Sequence, residues 1–270
     1  MLTKITFNNV TIAVDLHQPI DISIPLKAGN DNVNAFHLPP LTIAPFRIGS
    51  FIGNVNEGGS CNVNNILFNP HGNGTHTECV GHISKEKITI NQCLQNFFFF
   101  AQLITITPEE KEIDKIITQE QVTSAILNTQ YSIHNTQFPI PNSQHPNPDA
   151  LIIRTLPNGS DKINKHYSGT NPPYLHHEAA KWICDQGIEH LLLDLPSVDK
   201  EEDGGKLLAH HHYWQYPDNT RPQATITELI YVPASIPDGY YLLNLQIASF
   251  ENDASPSKPL LFKLLDIDIV

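Results

Sequence analysis

The sequence is poor in basic residues. Of its 270 residues, 16 are Lys or Arg and 28 are Asp or Glu, which gives a formal net charge of -12. Phosphate backbones and anionic membrane surfaces attract positive charge, so this balance argues against both as binding partners. We therefore expect no nucleic acid and no membrane among the partners of this protein.

Long apolar runs are missing as well. A helix that crosses a bilayer needs about 18 or more consecutive apolar residues, and no window of the sequence reaches that length. Polar residues interrupt the first segment from Asn8 onward, so it lacks the continuous apolar core of a secretory signal. We expect a soluble protein whose mature chain starts at Met1.

Cysteine is scarce and scattered. The four cysteines, Cys61, Cys79, Cys93 and Cys184, show no CxxC spacing, which argues against a zinc knuckle and against a dense disulfide framework. A reducing cytoplasm is the simplest location that fits this pattern. The nucleophile elbow Gly-x-Ser-x-Gly is also absent, which argues against a serine hydrolase.

Apolar and β-branched segments with turn residues between them indicate strands through much of the chain. Two stretches have helical spacing instead. One follows the capping-box pattern at Thr118 to Gln121, and the other carries Leu175, Ala179 and Ile183 and ends near Gly187. This order predicts an α/β (α+β) fold in one sheet-rich domain over residues 1–270. Strands are expected at 4–10, 11–16, within 41–55, 97–107, 150–154, 191–195, 225–232, 240–249 and 260–270, with a loop at 135–149.

Histidine is the outlier, with 14 residues distributed unevenly. Residues 71–82 read His-Gly-Asn-Gly-Thr-His-Thr-Glu-Cys-Val-Gly-His. Because side chains alternate along an extended chain, His76 and Glu78 would face the same side, and the two glycines would let the backbone bend and bring His71 to the same ion. Imidazole and carboxylate together suit zinc, manganese or iron. The alternative is a polar turn with ordinary surface histidines.

Two residues far downstream have the same chemistry. His210 follows Ala209 in a run of three histidines, and Glu228 lies in an apolar, β-branched segment. A carboxylate in a buried strand needs a partner, and a metal ion would be one. The alternative for Glu228 is an edge-strand glutamate that faces water, which its alternation with Thr225 and Thr227 would allow.

These residues resemble the cyclase family that includes the bacterial kynurenine formamidases. The family motif runs His-x-Gly-Thr-His-x-Asp with a further His four positions on, and residues 74–78 followed by His82 are similar to it. The resemblance continues in segment 194–199, in Ala209 and His210, in Glu228, and from segment 238–241 through segment 254–257, so that it covers most of residues 60–262. Two departures stand out: His71 precedes His76 by five residues where the family has four, and Glu78 replaces the usual Asp.

The resemblance implies a swivelling β/β/α architecture and a homodimer or homotetramer. It implies hydrolysis of a small-molecule amide by water that a metal activates, as in the arylformamidases of tryptophan catabolism, with Zn or Mn, one or two ions per chain. His82 would be the acid/base residue, and Asp199 and Ser197 would orient a ligand or the substrate. The implied metal ligands are His71, His76, Glu78, His210 and Glu228.

Three alternatives remain open at this level. The same site could hydrolyse a cyclic amide or a lactone, because the segment 17–60 has no readable specificity pattern. The protein could also bind a metal or a small ligand without catalysis. Cys79, flanked by His76 and His82, could finally act as a thiolate nucleophile.

Overall fold

The computed structural model of the protein describes residues 1–7, 10–133 and 147–265. Strands predominate in it and helices are few. The helices are α1 Pro70–Asn73, α2 Ile90–Cys93, α3 Gln119–Ile133, α4 His177–Asp185 and α5 Leu208–Trp214, with 3₁₀ turns at Val55–Glu57, Val80–His82 and Ser160–Asn164. The strands are β1 Leu2–Phe7, β2 Val10–Asp15, β3 Ile20–Asp21, β4 Thr42–Pro45, β5 Arg47–Ile48, β6 Phe51–Ile52, β7 Asn64–Leu67, β8 His76–Cys79, β9 Phe98–Ile106, β10 Glu109–Lys111, β11 Asp114–Ile117, β12 Ala150–Thr155, β13 Tyr174–Leu175, β14 His190–Leu193, β15 Thr225–Glu228, β16 Gly239–Asn244, β17 Ala254–Pro256 and β18 Leu260–Leu265.

One large mixed sheet dominates the structure. Its strand order is β1-β2-β18-β16-β9-β12-β14-β15-β8-β17, and β3 pairs with β18. The central strands β9, β12, β14 and β15 run parallel, while β16 on one side and β8 on the other are antiparallel to their neighbours. The expected α/β, sheet-rich fold class is therefore confirmed, and the assignment of residues 1–270 to one domain stays a prediction.

Two apolar clusters cover the two faces of the central strands. Leu151 and Ile153 of β12 face a cluster that also contains Val122 of α3 and Ile183 of α4, while their neighbour Ile152 faces the opposite cluster. Every residue of β12 is buried, which is the pattern expected of a parallel strand covered on both faces. Helices α3, α4 and α5 thus form a layer on one face, and the metal-site candidates lie near α5.

Most expected elements are present with shifted ends. The strands expected at 97–107, 150–154 and 191–195 correspond to β9, β12 and β14, and the helix after Thr118 corresponds to α3. Leu175 was expected in the second helix but lies in β13, paired with Ile117 of β11, and α4 starts only at His177. Residues 135–146 of the expected loop and 266–270 of the last expected strand lie outside the described residues.

The segment from β4 to β7 departs furthest from expectation. The range 41–55 was expected to form strands, and it forms three short ones, which belong to two separate two-stranded sheets, β4 with β7 and β5 with β6. Every residue of β7 is exposed, so these strands have little apolar packing that would favour longer ones.

Within the described ranges, we find no helix with the length and apolar character that a membrane span requires.

Candidate metal centre

Strand β8 carries the centre of the site and lies between β15 and β17. In these antiparallel pairs His76 lies opposite Glu228 of β15 and opposite Pro256 of β17, and Glu78 lies opposite Ile226 and Ala254. Glu228 belongs to an interior strand and is 3% exposed, so the alternative of a glutamate facing water is wrong. His76 and Glu78 approach one another on one face, as the alternation of side chains predicts.

The longer spacing before His76 is absorbed by a helical turn. The chain from Pro70 forms α1, in which the Asn69 side chain accepts a hydrogen bond from the His71 backbone N–H at 2.9 Å. This turn brings His71 Nδ1 to 3.1 Å from Glu78 Oε2. The five-residue spacing therefore does not remove His71 from the cluster.

The two glycines of the motif provide space, and neither has a left-handed backbone conformation. Gly74 is extended, with φ of 168°. A Cβ atom on Gly72 would lie 2.5 Å from Leu38 Cδ1, and one on Gly74 would lie 2.4 Å from Leu26 Cδ2. The expected role in backbone bending is therefore corrected: the loop needs glycine because the segment 24–38 packs directly against it.

Helix α5 delivers His210 from the other side. Asp199 accepts hydrogen bonds from the backbone N–H groups of Ala209 at 2.8 Å and His210 at 3.2 Å, which fixes the start of the helix. The same carboxylate lies 2.6 Å from His210 Nδ1. His210 Nε2 then points to Glu78 Oε1 at 3.1 Å. Asp199 thus has the contact expected of a residue that orients a ligand.

Hydrogen bonds set the orientation of His76 and Glu228. His76 Nδ1 donates to the Gly74 carbonyl oxygen at 3.0 Å, so its lone pair is on Nε2. That Nε2 is 3.4 Å from Glu228 Oε2. Glu228 Oε1 accepts from the Val198 backbone N–H at 2.9 Å, which leaves Oε2 as the oxygen that faces His76.

Two atoms at the centre lack hydrogen bonds. His76 Nε2 and Glu78 Oε2 are both buried and have no hydrogen-bond partner among the described residues. Such atoms are costly to bury, and the contact of Glu78 Oε2 with His71 is not aligned as a hydrogen bond. Nitrogen and carboxylate oxygen are ligands for a divalent ion, so the residues present fit a metal.

The charges of the cluster reinforce one another. Burial alone would lower the pKa of His71, but the hydrogen bond to Asp253 and the contact with Glu78 outweigh it and raise this pKa to about 10. Burial would likewise lower the pKa of His210, but Asp199 and Glu78 raise it to about 10. Burial would raise the pKa of Glu78, yet the neighbouring imidazoles hold it well below its usual range.

His82 borders the cluster on its exposed side. It ends the 3₁₀ turn that follows β8, and its side chain is 29% exposed, against 1% for Glu78. Its Nδ1 is 3.9 Å from Glu78 Oε2 and 3.2 Å from Asp253 Oδ2. The structure thus places His82 next to the buried ligand candidates, where solvent or a substrate can reach it.

Comparisons with known proteins identify the family. The sequence model of one protein family, described as "Putative cyclase", matches residues 14–200. The chain belongs to this cyclase family. No curated protein matches the chain in sequence.

Several solved structures have a similar fold. A protein described as a "predicted metal-dependent hydrolase from Bacillus stearothermophilus" has a TM-score of 0.59 and 15% identity, over 91% of this chain and 98% of that one. An isatin hydrolase bound to the product analogue thioisatinate has a TM-score of 0.63 and 13% identity, over 92% and 93% of the two chains. Isatin hydrolase A from Ralstonia solanacearum has a TM-score of 0.60 and 14% identity, over 91% of each chain. At these identities the likeness shows the cyclase fold.

Sequence reasoning missed one residue of the cluster. Asp253 precedes β17, and its Oδ2 lies 2.8 Å from His71 Nε2 and 3.2 Å from His82 Nδ1. A signal for it was present, because Asp253 directly precedes the segment 254–257 that continues the family resemblance. An acidic residue beside such a segment would have been worth considering as part of the site.

The remaining candidates lie outside the cluster. His211 Nδ1 contacts the Tyr216 carbonyl oxygen at 3.0 Å, and His212 packs its ring against His177. Cys79 is fully buried, and its hydrogen bond with Cys93 together with burial raises the pKa of its thiol. A thiol with a raised pKa forms little thiolate, so the geometry does not favour Cys79 as a nucleophile.

Proposed function

We propose that this cyclase-family protein is a metal-dependent hydrolase that cleaves the C–N bond of a small-molecule amide. One observation carries the proposal: His76 Nε2 and Glu78 Oε2 are buried without hydrogen-bond partners among the described residues. Further imidazoles and carboxylates surround these two atoms. A binding site for a divalent cation accounts for both atoms at once.

The proposed ligands are His71, His76, Glu78, His210 and Glu228, holding Zn or Mn, one or two ions per chain. Their free atoms are His71 Nδ1, His76 Nε2, His210 Nε2 and the carboxylate oxygens of Glu78 and Glu228 that face them. A bound cation would lower the pKa of water from about 15.7 towards about 7 and would polarise the scissile carbonyl.

His82 supplies the proton that the leaving nitrogen needs. An amine leaves an amide readily only if it is protonated as the C–N bond breaks, and histidine is the side chain best suited to this transfer near neutral pH. His82 lies beside Glu78 yet keeps part of its ring exposed. This position lets it reach a substrate that enters from the open side of the cluster.

Two amides are proposed as substrates. N-Formylkynurenine is the first, because residues 74–82 resemble the motif of the kynurenine formamidases. Isatin is the second, a cyclic amide, and the fold likeness to isatin hydrolases favours it. The test also distinguishes two other possibilities: that the substrate is a lactone, and that the protein binds metal without catalysis.

The test combines metal analysis with turnover. Protein purified without added metal is analysed for metal per chain, and hydrolysis of both amides is measured before and after chelation. We expect bound metal and chelator-sensitive hydrolysis of one of the two amides. Metal without turnover on amides or lactones would favour a binding protein, and full activity without metal would overturn the proposal. His211→Gln, outside the cluster, is the control and should leave metal content unchanged.

Light scattering would test the predicted homodimer or homotetramer.

A further inference from the structure

One oxygen of Asp253 contacts two histidines of the site. Its Oδ2 lies 2.8 Å from Nε2 of His71 and 3.2 Å from Nδ1 of His82, and the two imidazole rings lie side by side with centroids 4.4 Å apart. The three side chains are 21 to 29% exposed, so they form the rim of the buried cluster. Asp253 therefore connects a proposed metal ligand to the proposed acid/base residue.

This contact determines which ring nitrogen carries the proton. A carboxylate only accepts hydrogen bonds, so both contacting nitrogens are N–H donors. In His71 this keeps a proton on Nε2, so Nδ1, 3.1 Å from Glu78 Oε2, is the nitrogen that would bind a metal. In His82 it keeps a proton on Nδ1, so Nε2 is the nitrogen that can take a proton from the attacking water and pass it to the leaving nitrogen.

The backbone holds Asp253 in place. Its carbonyl oxygen accepts a hydrogen bond at 3.0 Å from the N–H of Cys79, the last residue of the strand that carries His76 and Glu78. The carbonyl oxygen of the preceding residue, Asn252, accepts another from Ile90 at 2.8 Å. The backbone at Asp253 is thus hydrogen-bonded to β8, the strand that carries Glu78, and the carboxylate extends from this point to the two histidines.

We propose that Asp253 is a positioning residue that fixes the ring nitrogens of His71 and His82, leaving Nδ1 of the first for the metal and Nε2 of the second for the proton. His210 offers a parallel, because Asp199 holds its Nδ1 and leaves Nε2 towards Glu78. Carboxylates that accept from ligand histidines in this way strengthen metal binding. The proposal rests on the proposed hydrolase function for its second half, the role of His82.

The test uses Asp253→Asn, which keeps the shape and removes the charge, and Asp253→Ala, which removes the contact. The control is Glu251→Gln, because Glu251 lies two residues away and hydrogen-bonds Thr89 and Asn91 outside the cluster. The dissociation constant for Zn²⁺ is measured by competition with a coloured chelator. The absorption spectrum of the Co²⁺-loaded protein reports the ligand geometry, and kcat and KM are measured at saturating metal.

We expect Asp253→Ala to weaken Zn²⁺ binding about 10- to 100-fold, the usual cost of losing such a partner, with a smaller effect for Asp253→Asn. The Co²⁺ spectrum should change, and kcat should fall while KM stays close to that of the unchanged protein. Unchanged Zn²⁺ affinity and Co²⁺ spectrum in both variants would overturn the proposal. Weaker Zn²⁺ binding in a protein that hydrolyses no amide would support the role at His71 and overturn only the proposed function.

Discussion

Glu228 lies directly opposite His76 in the antiparallel pair of β15 and β8, and its Oε2 is 3.4 Å from His76 Nε2. The register of this pair brings together two candidate ligands that are far apart in the sequence. A slip of one residue would turn Glu228 to the other face of the sheet. The interior position of β15, between β14 and β8, therefore fixes the site as well as the fold.

Replacement of Glu228 by glutamine tests its part in metal binding. Glu228→Gln keeps the side-chain shape and can still accept the hydrogen bond from the Val198 N–H, so we expect the fold to persist. The loss of the charged oxygen beside His76 should weaken metal binding by more than about 10-fold. Loss of a residue that only hydrogen-bonds a metal ligand already costs about 10-fold or more, and loss of a direct ligand should cost more than that. Competition with a chelator measures the change. Glu202→Gln, at an exposed position, should bind metal as the unchanged protein does, and equal affinity in both variants would remove Glu228 from the ligand set.

The relation between His76 and Glu78 could be predicted from the sequence because it is local. Side chains two positions apart in a strand face the same side of the sheet, and in the structure His76 and Glu78 do so. The place of Leu175 could not be predicted in the same way. Its apolar spacing with Ala179 and Ile183 fits a helix, but its backbone pairs with β11, so all three share one core cluster while only two are helical.

Asp253 shows why part of the site escapes sequence reasoning. It reaches His71 and His82 because β17 pairs with β8, and that pairing joins segments more than a hundred residues apart. The periodicity of apolar residues predicts local secondary structure, and it gives no information about which distant strands pair. His71 was in doubt from the sequence for a different reason, its five-residue spacing from His76. One helical turn between the two residues takes up the additional residue, so His71 still reaches the cluster.

The glutamate at position 78 should bind metal better here than the aspartate usual in the family. Its two oxygens lie 3.1 Å from His210 Nε2 and 3.1 Å from His71 Nδ1, so the carboxylate spans both histidines. Glu78→Asp would withdraw it by one methylene, and we expect fewer metal ions per chain by elemental analysis. Glu86→Asp, at a surface position on the loop that follows His82, is the matched control. A gain of metal in Glu78→Asp would show that the family residue suits this site better.

Removal of the His82 imidazole should separate metal binding from turnover. His82→Ala keeps the side chains of His76, Glu78, His210 and Glu228, and the lost Nδ1 lies 3.9 Å from the nearest Glu78 oxygen, beyond hydrogen-bond distance. We expect unchanged metal content and a kcat lower by about 10²- to 10⁴-fold, the usual contribution of acid/base catalysis. If the variant loses metal, His82 belongs with Glu78 and His210 in the ligand set, a grouping that the geometry also permits.

Metal binding should release protons, because two of the proposed ligands, His71 and His210, have raised pKa values. The pKa values of His71 and His210 are raised to about 10, so both rings carry two protons at pH 8, where a free histidine carries one. A bound metal would take the place of one proton on each ring, at the nitrogen that faces Glu78, so the apparent affinity for metal should rise with pH up to about 10. Calorimetric titration in buffers of different ionisation enthalpy counts these protons. His71→Gln should release one proton fewer than the unchanged protein. Binding without proton release would mean that His71 and His210 are not ligands, because both would then keep the protons that Asp253, Asp199 and Glu78 hold on them.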